Sequence, residues 1–167
     1  GQFDEGSVEV RFNDSNAMAL APQLTVFDSH HGLSIDMEPP MGFKSSTLES
    51  LWWSLDTKTN ARVMLCNTTD DKLDGQLNLE WRSTSIPTTA FSLSRHQTIV
   101  LDIERLLKDL RIESKGIDSG GLSIRHNGSP GALIAHGVVE SRGRRLASNL
   151  NFVDPAGQRT SRLDGTG

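Results

Sequence analysis

The sequence predicts an all-β protein, namely an antiparallel β-sandwich of Ig-like or jelly-roll-like form with one short helix near residues 102–110. Three observations predict it. Apolar and polar residues alternate along many short segments, turn-forming residues separate those segments, and only one stretch has helical periodicity. Alternation with a period of two is typical of strands that bury one face and expose the other, as antiparallel sheets do.

The predicted strands follow from this alternation. Val8, Val10 and Phe12 alternate with Glu9 and Arg11, which indicates a strand that is wet on one face. The other predicted strands lie near 18–27, 32–37, 50–55, 60–66, 77–81, 88–93, 97–102, 122–124, 131–140 and 146–153. Turn residues separate them at 67–71, 127–131 and 154–157. Because 127–131 joins two strand-like runs over five residues, we expect a β-hairpin there.

One segment has helical periodicity instead. Within 102–110 the apolar residues Ile103, Leu106, Leu107 and Leu110 have the i, i+3, i+4, i+7 spacing of one helix face. Asp102 is a residue type that caps helix N-termini. A helix of about two turns is marginal on its own. We therefore expect it to lie against the sheet and close one end of it.

The sequence also contains a duplication. Residues 6–15 (GSVEVRFNDS) align without a gap with residues 120–129 (GGLSIRHNGS), and after small shifts the matches continue to residues 50 and 166. Val26 then corresponds to Val139, and Leu33 to Leu146. The chain thus has two copies, 6–50 and 120–166, on either side of a unique middle segment, 51–119.

Two architectures are compatible with this duplication. The copies could be related halves of one sandwich that the middle segment completes. Alternatively, the protein could be a tandem array with a period near 114 residues, in which the first copy belongs to another unit. A short β-segment alone leaves unpaired edges and an apolar face exposed. We therefore expect the first copy to pack into a single domain that covers residues 1–167.

Composition limits the classes of function. The net charge of −4 and the single Arg cluster at 142, 144 and 145 predict no nucleic-acid partner. No apolar run approaches the roughly 18–20 residues that cross a bilayer, so we expect no membrane insertion. The one cysteine, Cys66, excludes an internal disulfide and is interpreted as a buried strand residue. Because no glycine-rich segment leads into a helix and no nucleophile elbow occurs, we predict neither a cofactor nor a catalytic residue.

Histidines are the candidate metal ligands. His30 and His31 are adjacent, so on a strand they would point to opposite faces, and we interpret them as residues of a variable loop tip. His126 and His136 flank the expected hairpin at 127–131 and could approach each other across it. Zinc needs three or four ligands, and no acidic residue lies between these two histidines or directly beside either of them. We favour ordinary half-buried strand residues over a metal site.

The tryptophans Trp52, Trp53 and Trp81 are the strongest candidates for ligand binding. Adjacent residues of a strand face opposite sides, so one of Trp52 and Trp53 is expected to face outward. An outward indole stacks well on a sugar ring or an apolar partner. Aromatic residues make up only 5 % of the chain, and tyrosine is absent. This composition favours tryptophans that fill the core or the junction between the first copy and the middle segment.

Residues 51–167 resemble an uncharacterised β-sandwich module of bacterial exported proteins. The resemblance lies in Trp52-Trp53, in the apolar strand and turn of 61–69, in the strand pair at 76–81 and 97–101, and in 131–135. It implies a sandwich fold and an extracellular or cell-envelope location, and it implies no activity.

From the residues and the resemblance together we predict a non-enzymatic module for structure or protein interaction within a larger exported protein. One alternative is a carbohydrate-binding module that uses an exposed tryptophan. A second alternative is a metal-dependent hydrolase built on His126 and His136. The expected partner is accordingly a protein or a carbohydrate at the cell surface.

Overall fold

The computed structural model describes residues 8, 10, 24–28, 33–37, 43–54, 59–81, 84–112, 119–141 and 147–158. The strands are β1 (Leu24–Asp28), β2 (Leu33–Met37), β3 (Thr47–Ser54), β4 (Thr59–Asn67), β5 (Leu73–Trp81), β6 (Thr84–Leu93), β7 (Thr98–Asp102), β8 (Ser119–His126), β9 (Leu133–Ser141) and β10 (Ala147–Val153). The helices are α1 (Ile103–Asp109) and the single turn α2 (Pro155–Gln158).

Strands β3 to β10 form one antiparallel sheet in the order β6-β5-β8-β3-β10-β9-β4-β7, while β1 and β2 form a separate two-stranded ladder. The end strands of the large sheet, β6 and β7, follow each other directly in the chain. The sheet curls into a nearly closed barrel. The all-β, antiparallel prediction is confirmed, whereas the sheet does not divide clearly into the two layers of a sandwich.

Strand β10 explains why the sheet is continuous. Its residues 147–151 pair with β9, and its last residues, Phe152 and Val153, pair with β3. One strand therefore belongs to both four-stranded halves, β6-β5-β8-β3 and β10-β9-β4-β7. A strand that changes partner along its length is a common way to form a corner between sheets.

The barrel core follows the alternation in the sequence. On β4 the residues Ala61, Val63 and Leu65 are fully buried, and the residues between them are partly exposed. The apolar residues of β5 and β8 lie in the same core cluster. Burial of these large aliphatic side chains, each contributing about 1.5–3 kcal/mol, is the main stabilising term of the fold.

Helix α1 confirms the prediction made for 102–110. The Asp102 carboxylate accepts a hydrogen bond from the Arg105 backbone N–H at 2.9 Å, as an N-cap does, and a second from the Asn60 amide at 2.7 Å. Ile103 and Leu107 are fully buried in the core cluster. The helix is thus held where β7 ends and β4 begins.

The prediction of a β-hairpin at 127–131 is wrong. Strand β8 pairs with β5 and β3, while β9 pairs with β10 and β4, so β3 and β10 lie between them in the sheet. The segment instead crosses from one half of the barrel to the other. Local turn residues could not reveal this, because the strands that separate β8 from β9 are distant in sequence.

Candidate functional site

Three connections lie together at one end of the barrel: 68–72 between β4 and β5, 94–97 between β6 and β7, and 127–132 between β8 and β9. We call these three loops the apex. The Thr68 N–H donates to the Ala132 carbonyl at 2.9 Å, and the His96 N–H donates to the Thr69 carbonyl at 3.3 Å. The loops are therefore tied to one another by main-chain hydrogen bonds.

The side chain of Asn67 joins two of these loops. It is fully buried, and its amide nitrogen donates to the carbonyls of Asp71 at 2.7 Å and Ser94 at 3.0 Å. Its amide oxygen accepts from the backbone N–H and the hydroxyl of Thr69, at 2.9 and 2.8 Å. The sequence identified Asn67 only as a turn residue. A buried amide with both ends hydrogen-bonded makes the apex a rigid part of the scaffold.

Charged side chains project from this framework. Asp70 pairs with the Arg95 guanidinium at 2.8 Å and with His96 Nε2 at 3.2 Å, and their side chains are 73 %, 68 % and 41 % exposed, respectively. His96 has φ of 51°, in the left-handed region that few residues other than glycine adopt. Exposed ion pairs contribute little to stability. These three residues are therefore available for contacts with a partner.

His126 lies buried below the apex. It is 5 % exposed and lies opposite Gly75 of β5 in the ladder. Neither ring nitrogen has a hydrogen-bond partner among the described residues, and burial lowers the pKa of the imidazole. A neutral ring with a free lone pair is a suitable metal ligand. Within the described ranges, however, no three His, Cys, Asp or Glu side chains come together as a metal-binding group.

His136 lies in the other half of the barrel. It pairs with Met64 of β4 and Asn151 of β10. Burial lowers the pKa of His136, and a hydrogen bond with the Asn149 side chain partly opposes this shift. Because β8 and β9 do not pair, His126 and His136 do not face each other across a ladder as expected. His30 and His31 lie outside the described residues.

The tryptophan positions lie at the end of the barrel opposite the apex. Trp81 is partly buried against the core cluster. On β3, the register shifts between Ser50 and Trp53, so that Trp53 pairs with Gly120 of β8. The side chains of Trp52 and Trp53 lie outside the described residues, as does the Arg cluster at 142–145.

Asp154 joins the end of the last barrel strand, β10, to the residues just before the first barrel strand, β3. This carboxylate is 8 % exposed and accepts hydrogen bonds from the backbone N–H groups of Lys44, Ser45 and Ala156 and from the Ser45 hydroxyl. The bond from Lys44 and the other donors lower its pKa to about 2. A shallow cavity of about 290 Å³ adjoins this junction and is lined by Ser45, Thr47, Glu49, Arg125, Pro155 and Ala156. Asp154 itself is occupied by structural hydrogen bonds.

No family model, curated protein or solved structure matched this chain. None of the described helices is long and apolar enough to cross a bilayer.

Proposed function

We propose that the chain is a non-enzymatic interaction module of a larger exported protein and that it contacts a protein partner at the cell surface through the apex. One observation carries this proposal: Asn67 fixes two apex loops from within, while Asp70, Arg95 and His96 remain exposed on them. Loops held on a rigid scaffold are the usual location of binding residues. We further propose that the barrel belongs to the sandwich class, with its two four-stranded halves joined at β10.

The chemistry of the apex indicates the kind of partner. Its exposed groups include one guanidinium, one imidazole and one carboxylate arranged around a shared ion pair, and Asp71 and Lys72 are exposed beside them. Arginine and histidine contribute directional hydrogen bonds to a protein surface, and rim charges mainly set the rate and specificity of association. A strained left-handed residue at such a position often marks a binding site.

Chemical cross-linking followed by mass spectrometry tests this proposal. The chain is incubated with an extract of its source cells as wild type and as the variant Asp70→Asn, Arg95→Gln, His96→Gly. The glycine suits the left-handed φ of His96, so the loop is expected to keep its shape. The wild type should capture a defined partner that the apex variant loses at least tenfold.

The exposed pair Arg105–Asp109 on α1 provides a matched control, because its side chains are 83 % and 72 % exposed and lie on another part of the barrel. The variant Arg105→Gln, Asp109→Asn should retain the partner. Equal capture by the apex variant, loss in the α1 control, or no specific capture by the wild type would each count against the apex as the binding surface.

A carbohydrate-binding function is the second candidate, and one feature of the register favours it. Trp53 pairs with Gly120, and Gly121 pairs with Glu80, the neighbour of Trp81. Two tryptophan positions thus flank a glycine pair, which has no side chains to cover the sheet surface on which a flat ligand would lie. A glycan array distinguishes the two functions: binding that disappears in Trp53→Ala but persists in the apex variant would support the carbohydrate function and oppose the first proposal.

A further inference from the structure

The separate ladder of β1 and β2 reproduces the pairing of β9 and β10. The sequence matches of Val26 with Val139 and Leu33 with Leu146 define a shift of 113 residues (139 − 26 and 146 − 33). Under this shift Leu24↔Met37 becomes Gly137↔Leu150, which is an observed pair. The next three pairs of β1 and β2, through Phe27↔Ser34, likewise map onto observed pairs of β9 and β10.

This agreement is independent of the sequence alignment. The alignment compares side-chain types, whereas the register is set by which backbone groups are opposite each other. A slip of one residue would turn every side chain of a strand to the other face, so an equal register places corresponding residues of the two ladders on corresponding faces. The hairpin of the first copy is therefore the same structural element as β9 and β10.

Residues Val8 and Val10 support the same correspondence. They align with Leu122 and Ile124 of β8, which are 1 % and 0 % exposed in the barrel core. Val8 and Val10 are instead 72 % and 53 % exposed. Two apolar side chains of a segment with the pattern of a core strand thus lie in solvent, which indicates that their packing partner is another molecule or another segment.

The barrel itself uses only the end of the first copy. Its eight strands run from Thr47 to Val153, so that of residues 6–50 only Thr47–Ser50, at the start of β3, belong to it. Two halves of one sandwich would require both copies to contribute strands to the same sheet. Strand β2 lies close to β10, yet the ladder of β1 and β2 remains separate from the barrel sheet.

We propose that residues 6–42 are the β8–β10 segment of a second copy of the barrel unit, and that the unit recurs in tandem with a period of about 114 residues (120 − 6). The partner that the first copy requires is a segment of the same kind as residues 43–119, supplied by the preceding unit. The tandem arrangement describes how units are assembled, and it does not depend on what the apex binds.

The junction at Asp154 suits such an array. Asp154 holds Lys44 and Ser45, so the chain enters and leaves the unit at one place. Glu38-Pro39 of the first copy corresponds to Asp154-Pro155. Only residues 38–46 separate β2 from β3, which is a short connection between successive units.

Paired substitutions in the full chain test the inference. Val139 is 8 % exposed in the barrel core, and Val26 is its counterpart in β1. In a tandem array, Val139→Asp lowers the melting temperature of the barrel by at least about 10 °C, because it buries a charge. Val26→Asp leaves that temperature unchanged. If Val26→Asp lowers it as Val139→Asp does, the first copy belongs to the barrel domain and the inference is overturned.

An extended chain provides a second, positive test. A duplicate of residues 43–119 is fused directly to the N-terminal side of Gly6, so that residues 6–42 follow the segment that would precede them in an array. Hydrogen exchange of the β1 and β2 amides should slow at least about 100-fold, toward the rates of β9 and β10. A control extension with the residues of 43–119 in scrambled order should give no protection. Exchange in β1 and β2 that the native extension leaves unchanged would overturn the inference.

Discussion

Replacing His126 with phenylalanine tests the interpretation of this buried ring. The duplication suggests the substitution, because Phe12 occupies the aligned position in the first copy. The ring of His126 is 5 % exposed, and both of its nitrogens lack hydrogen-bond partners among the described residues. A buried polar group without a partner costs about 1–3 kcal/mol. Phenylalanine has a similar shape and no polar atoms, so it removes this cost.

The expected gain is smaller than the full cost, because the surroundings are tight. His126 is 5 % exposed, so the larger phenylalanine ring has little free space around it. Overpacking costs about 1–3 kcal/mol, and a modest part of that range applies to the one heavy atom added. We therefore expect His126→Phe to raise the free energy of unfolding by about 1 kcal/mol at pH 7.5.

The pH dependence gives a second measure of the same substitution. Burial lowers the pKa of His126 below 6.5, so the unfolded chain takes up a proton that the folded chain does not. Wild-type stability should therefore fall as the pH decreases below 6.5, and His126→Phe should fall less steeply. Urea unfolding between pH 5 and pH 8 measures both effects, with His96→Gln as the exposed control. A variant that is less stable than wild type, with an unchanged pH slope, would refute the reasoning.

Three further substitutions test other parts of the structure. Asp154→Asn should make the loss of folded structure at acid pH, followed by circular dichroism, less steep. The stabilisation from a carboxylate whose pKa is about 2 in the folded chain instead of 3.8 is complete above pH 3.8 and disappears toward pH 2. An unchanged profile would contradict this. Asn67→Ala should cost about 2–4 kcal/mol in urea unfolding, since it removes the hydrogen bonds of a buried amide to Asp71, Ser94 and Thr69. A cost below about 1 kcal/mol would show that the loops are held otherwise. Gly75→Ala should lower the melting temperature, because its Cβ would lie 2.8 Å from the Arg125 carbonyl and 2.3 Å from Phe91; an equal melting temperature would contradict the tight packing.

The strands and the helix were predictable because their signals are local. The alternation in 60–66 corresponds to β4, and the stripe of Ile103 and Leu107 corresponds to α1 with Asp102 as its cap. Each signal depends on residues a few positions apart, which is the range over which backbone geometry places side chains on one face.

The order of the strands was not predictable in this way. The hairpin expected at 127–131 failed because β3 and β10 occupy the space between β8 and β9. Asn67 likewise gave no signal of its role, since its partners Asp71 and Ser94 meet only when the barrel closes. The local sequence does not indicate which distant strand pairs with a given strand in the sheet.

The sequence by itself determined where most of the described strands lie and where the helix starts. The tertiary structure alone decided that the sheet curls into one nearly closed barrel, that His126 is buried without a partner among the described residues, and that β1 pairs with β2 in the register of β9 with β10. The physical reason is the distance along the chain over which each kind of signal acts. Local periodicity fixes which face of a segment is apolar, but strand order depends on which distant faces can be buried together.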